Sequence, residues 1–169
     1  MDHLPEDLRS YIAGLRRYAL SLVGNSVDAD DLVQETLQRG LMSLRNGKKI
    51  DNLRGYLFTI LHNVRVSQYR RDGDGRDHVP IEDVMHDLPC RENQQHAVEL
   101  SELFSALDAL PMEQRSVILL VCLEGFTYRE CAAILGVPIG TVMSRLSRAR
   151  KALISELDMA RRPKLAEIN

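Results

Sequence analysis

The residues from Thr141 to Lys151 combine hydroxyl and cationic donors with an apolar counterpart at helical spacing. Thr141, Ser144, Arg145 and Arg148 are predicted to project away from Val142, Leu146 and Ala149, which recur at intervals of three and four. Such donors can reach base edges or phosphates in a major groove, because Arg reads guanine with two hydrogen bonds while hydroxyls serve either kind of partner. Arg150 and Lys151 follow at the phosphate-facing end. The plainer alternative is a helical hairpin with a charged surface. No nucleophile with a positioned base, no phosphate-cradling glycine loop and no metal spacing is present, so no catalytic residue, metal or cofactor is expected. His86, Cys90 and His96 lack a fourth ligand at a recognised spacing. Cys90, Cys122 and Cys131 are odd in number without C-x-x-C, against a disulfide framework, and the last two sit in apolar runs as small core residues.

The elements that must position this segment are helical. Thr127 and Glu130 form a capping-box pattern ahead of a short helix through Leu135, and Gly136-Val137-Pro138 turns into the donor-bearing helix. Small Ala132 permits close packing of that pair, so Thr127 to Arg145 reads as a helix-turn-helix. Upstream, Leu100, Leu103, Phe104, Leu107 and Leu110 form an apolar stripe; Pro111 opens a further helix through Val117, Ile118 and Val121, which Gly125 ends.

The first half is predicted to be a three-helix bundle. Leu8, Ile12, Leu15, Ala19 and Leu22 line one helix that stops at Gly24. A second starts near Asp28 and carries Leu32, Val33, Leu37 and Leu41 until Gly47 breaks it. The third follows Asn52, a good N-cap, with Leu53, Leu57, Ile60, Leu61 and Val64 on one stripe. From Asp72 to His96 the pattern fails among Gly73, Gly75, Pro80 and Pro89, as expected of a flexible linker whose ends lie roughly 25–30 Å apart. Two domains so joined could grip DNA more than one helical turn apart.

Composition suits a globular chain of 169 residues, 44% hydrophobic and 27% charged, with a core in each half. The net charge of −2 is uninformative, but its distribution is not. Arg54 to Arg71 holds four arginines and no acid, and Ile139 to Lys151 four bases and no acid. Between them, Glu82 to Glu113 holds eight acids and only Arg91 as a base. A phosphate backbone would attract only the two basic stretches. No apolar run approaches the roughly 20 residues of a membrane span, and the start Met1-Asp2-His3 lacks a basic n-region, so a cytoplasmic protein is expected.

The stretch Ala132-Ala133-Ile134-Leu135-Gly136-Val137-Pro138-Ile139-Gly140-Thr141-Val142-Met143-Ser144-Arg145-Leu146-Ser147-Arg148-Ala149-Arg150 resembles region 4 of the extracytoplasmic-function sigma factors, and Leu107 to Arg115 is similar to its lead-in. Asp28-Ala29-Asp30-Asp31-Leu32-Val33-Gln34-Glu35-Thr36 resembles region 2.2, and Asn52 to Asn63 regions 2.3 and 2.4. Leu53 to Asn63 is also similar to alphaproteobacterial general-stress sigma factors. The resemblance implies an all-α protein with region 2 at 1–71, a linker at 72–96 and region 4 at 97–169.

It further implies a partnership with core RNA polymerase, promoter DNA and a cognate anti-sigma factor. Asp31, Leu32, Gln34 and Glu35 would meet the polymerase clamp helices. Arg54, Tyr56, Asn63 and Arg65, with the loop Arg45 to Asp51, would hold the melted minus-ten strand, which needs cations for phosphates and planar groups for unstacked bases. Thr141, Ser144, Arg145, Arg148 and Lys151 would read the minus-35 element. Two positions depart from the pattern: Tyr56 stands where many relatives carry Trp, as a core residue or a weaker stacking surface, and Met143 where many carry Arg or Lys. A sigma-like decoy would need an attached receiver domain, and a ligand-binding repressor an apolar pocket in the first half; the sequence suggests neither.

Overall fold

The computed structural model describes residues 6–72 and 94–161. Residues 73–93, with His86, Cys90 and most of the expected linker, lie outside the described residues. Among the described residues every element is helical.

Helix α1 (Glu6–Val23) ends at Gly24, whose φ of +81° suits a residue without a Cβ and whose N–H donates to the Leu20 carbonyl at 2.9 Å. Helix α2 (Ser26–Arg45) begins before the acids named above, because Asn25 Oδ1 accepts from the Asp28 N–H at 2.8 Å and supplies the cap. Helix α3 (Leu53–Asp72) is capped as the sequence predicts, with Asn52 Oδ1 accepting from the Gly55 N–H at 2.9 Å. Leu8, Leu15, Leu32, Leu57 and Leu61 are wholly buried among these helices. Gly40 lets α2 approach α3 closely, since a Cβ there would lie 2.7 Å from Leu57 Cδ2.

In the second half α4 (Gln94–Asp108) leads to α5 (Met112–Ile118), then α6 (Tyr128–Leu135) and α7 (Ile139–Arg161). A π-helical turn, Leu119–Leu123, extends α5, with the Glu124 N–H reaching back to the Leu119 carbonyl at 3.0 Å. The extra residue in that turn rotates the apolar run. Leu119 and Leu120 are buried, whereas Cys122, expected in the core, is exposed. Cys131 is buried as expected, and burial pushes its thiol up to about 11.

The two halves share one apolar core. Tyr18 of α1 packs on Phe58 of α3 with ring centroids 5.5 Å apart, and Phe58 meets Phe126, between the π-helical turn and α6, edge-on at 4.9 Å. Arg115 of α5 is buried, yet its guanidinium bonds the carbonyls of Asp108 and Leu110, the Asp108 carboxylate and the Leu22 carbonyl at the end of α1. A cation at two helix C-termini is where orphan carbonyls and the dipole both favour it.

Candidate nucleic-acid interface

Local signals build the helix-turn-helix as the sequence predicts. Thr127 Oγ1 accepts from the Glu130 N–H at 3.3 Å and the Glu130 carboxylate accepts from the Thr127 N–H at 2.8 Å, closing the capping box. The Thr127 N–H, and the Thr127 hydroxyl donating to the same oxygen at 2.8 Å, hold the Glu130 carboxyl below its usual range. Gly136 ends α6 at φ +64°. Val142, Leu146 and Ala149 of α7 are buried beneath α5 and α6, which turns the opposite side outward.

Arg148 and Lys151 are exposed on α7, with Thr141 and Ser144 half-buried beside them. These four fall within about a quarter of the helix circumference, one ridge long enough to follow a groove. Arg145 stands at its edge. Only 22% of its side chain is exposed, its guanidinium lies 3.2 Å from the Glu113 carboxylate, and it lines a polar cleft against α3. Met143 is 54% exposed on the far side, so it is not a packing residue.

On α3 the four candidate single-strand residues divide. Tyr56 and Asn63, two turns apart, share one side of α3, and Asn63 borders the cleft that Arg145 lines; Arg54 and Arg65 lie about half a turn around, and of these Arg54 meets the second half of the chain. Tyr56 donates to Ser43 Oγ at 2.9 Å and takes the Lys48 ammonium both at its hydroxyl, 3.2 Å away, and over its ring, 4.4 Å from the centroid. The Ser43 and Lys48 bonds lower its pKa. Tyr56 is therefore a half-buried ring tied to the 45–51 loop rather than part of the apolar core.

Arg54 is engaged across the halves. It donates to the Glu124 carbonyl, stands 3.6 Å from the Glu124 carboxylate and lies over the Phe126 ring at 4.0 Å. Arg65 lies 6.0 Å over Tyr69. His62, beside Asn63, faces the same cleft as Arg145; desolvation first, then that guanidinium, lowers its pKa to about 4.

On α2, Asp31 and Gln34 are exposed and Glu35 is half-buried, 2.6 Å from Arg39 one turn on. Leu32 is wholly buried. Its expected contact with a partner is thereby corrected: in this fold Leu32 holds α2 onto its own bundle.

Sequence reasoning passed over Arg17, Glu124 and Phe126. The available signal was Glu124 itself, one acid ending the uninterrupted apolar run Val117 to Leu123. Its side chain is 1% exposed, and Arg17 reaches it with both Nε and Nη2, at 3.2 and 3.0 Å.

Two known families match the chain in order: sigma-70 region 2 over residues 8–74 and sigma-70 region 4 over residues 93–153. The chain is 40% identical over 158 residues to the ECF RNA polymerase sigma factor EcfG of Rhodopseudomonas palustris, which covers 90% of this chain and 83% of that protein. It is 38% identical over 157 residues to the ECF sigma factor SigE of Mycolicibacterium smegmatis, covering 88% of this chain and 59% of the relative. Its fold is similar to one solved in the complex of the sigma factor RpoE with the anti-sigma factor NepR from Bartonella quintana, with a TM-score of 0.73 and 36% identity over 92% of this chain and 97% of that one.

Proposed function

The chain belongs to the extracytoplasmic-function branch of the sigma-70 family, and from that premise we propose that it directs bacterial core RNA polymerase to specific promoters, under the control of an anti-sigma factor. One observation carries the reading of the second half: α7 presents Thr141, Ser144, Arg148 and Lys151 along one ridge while burying Val142, Leu146 and Ala149. Hydroxyls and cations so placed can bond base edges and phosphates of a duplex minus-35 element. In this reading residues 97–169 are the minus-35 module.

Residues 1–71 join polymerase and open the minus-ten element. Asp31, Gln34 and Glu35 are the polymerase-facing groups of α2. Tyr56 and Asn63, on one side of α3, take the first part of the single strand. Arg65 adds charge on the same helix, and Arg54 does so once it has left Glu124 and Phe126 of the second half. The factor contributes binding energy and positioning rather than a reaction of its own. The relative solved with NepR supports an anti-sigma partner for this chain also. No helix among the described residues is long and apolar enough to cross a membrane; a partner of core polymerase works in the cytoplasm.

The test is transcription in vitro with core polymerase and genomic DNA, with and without the protein. New start sites sharing two upstream motifs are expected only when it is added. Tight sequence-specific binding by the free chain, without new start sites, would instead make it a repressor.

A further inference from the structure

A half-open cavity of about 460 Å³ lies where α1, α4, the π-helical turn and α7 meet, and it shares no lining residue with the cleft beside α3. Leu20, Leu103, Phe104, Leu119 and Leu153 supply its walls. Arg17, Ser21 and Arg150 add polar groups, and no acid lines it. Both arginines are exposed. Glu124 takes Nε and Nη2 of Arg17, and a guanidinium has donors beyond those two atoms. Cys122 and Leu123 also line the cavity and are exposed, the latter at 44%. Apolar surface left against water and bordered by a few polar groups is the usual form of a ligand site.

We infer that this cavity binds a free long-chain carboxylate, with its hydrocarbon tail among the leucines and its head on Arg17 and Arg150. The lining selects both ends of such a molecule. Walls of leucine and phenylalanine offer no partner to a polar atom, so the tail must be hydrocarbon. Two guanidiniums in a lining without an acid are matched by an anion, and a planar carboxylate meets the guanidinium fork with parallel bonds. Glu124 offsets Arg17 in part, so Arg150 carries the larger share of the attraction. A methylene fills about as much space as a water molecule, roughly 30 Å³, so the cavity takes a chain of about 12–16 carbons. Because α1 contributes walls alongside the helices of the second half, a bound tail touches both halves and stabilises the folded chain. The site is independent of the promoter-facing groups, so each assignment can fail alone.

The experiment is calorimetric titration of the full chain with dodecanoate below its micellar concentration, which should show one saturable site. Decanoate, two methylenes shorter, should bind about fifteenfold more weakly. Dodecyltrimethylammonium, with the same tail and a cationic head, should be weaker by about tenfold or more. Arg150→Glu should cost about tenfold in dodecanoate affinity and Arg150→Lys less, because an ammonium keeps the charge without the fork. Cys122→Trp, which fills the cavity from an exposed position, should abolish binding. Circular dichroism verifies that helicity is kept; should Cys122→Trp melt, the two Arg150 variants decide. Absence of a saturable site, equal binding of the two amphiphiles, or parental affinity in a helical Cys122→Trp chain would overturn the inference. So would flotation with phosphatidylglycerol vesicles without binding of free dodecanoate, the mark of a lipid surface. A dimer that Cys122→Trp breaks and dodecanoate leaves intact would give the cavity to a second copy of the chain and equally overturn it.

Discussion

Arg145 and Arg148 stand one turn apart on α7 in different surroundings. Arg148 is exposed on the ridge, while Arg145 is shared between Glu113 and the cleft. Arg148→Ala should cost roughly 1–3 kcal/mol of discrimination if the guanidinium meets a guanine, seen as loss of the difference between intact and scrambled minus-35 promoters in holoenzyme transcription. Equal weakening on both would mean a phosphate contact. Arg145→Ala should weaken both promoters less, with an effect that Glu113→Gln partly reproduces. His62 gives a pH signature. Its pKa in the fold, about 4, is below the ordinary 6.5, so the folded chain binds fewer protons between those values and loses stability as pH falls through that window. The loss should reach about 2–3 kcal/mol in denaturant melts at pH 4 compared with pH 7, and His62→Gln should flatten that part of the profile.

The elements were legible where a short motif specifies them. Asn52, the Thr127–Glu130 pair and Gly136 each do locally what their residue types do in isolated helices, and the structure follows them. Thr127→Ala should cost about 1 kcal/mol in thermal unfolding, by loss of the cap at α6. Gly40→Ala should cost about 1–2 kcal/mol by overpacking α2 against Leu57, a contact invisible until the two helices are placed together. The π-helical turn was not legible either. Val117 to Leu123 is apolar throughout, and a run without polar punctuation has no phase from which to tell a five-residue turn from a four-residue one. An unbroken apolar run therefore predicts a core position for Cys122, which the π-helical turn leaves exposed. The period of α3 divides Arg54 and Arg65 from Tyr56 and Asn63, but it does not show which of them the second half of the chain meets.

At the scale of the molecule, charge and spacing predict two helical halves, and nothing in the sequence predicts that they share a core. The contacts that join them link positions such as Arg17 and Glu124, 107 residues apart, or Arg54 and Glu124, 70 apart. Pairings of that range have no local signature. At this scale Asn63→Ala, at an exposed position of α3, should impair promoter opening in permanganate footprints while polymerase affinity stays within about twofold. The shared core also sets a clock during synthesis. A ribosome adding about 5–20 residues each second needs roughly 3–14 s to travel from Phe58 to Phe126. Until then the nascent first half displays an apolar ring that the finished chain hides at 1% exposure. For those seconds the aromatic face is open to any chaperone or partner near the exit tunnel, and the order of translation decides which surface reaches it first.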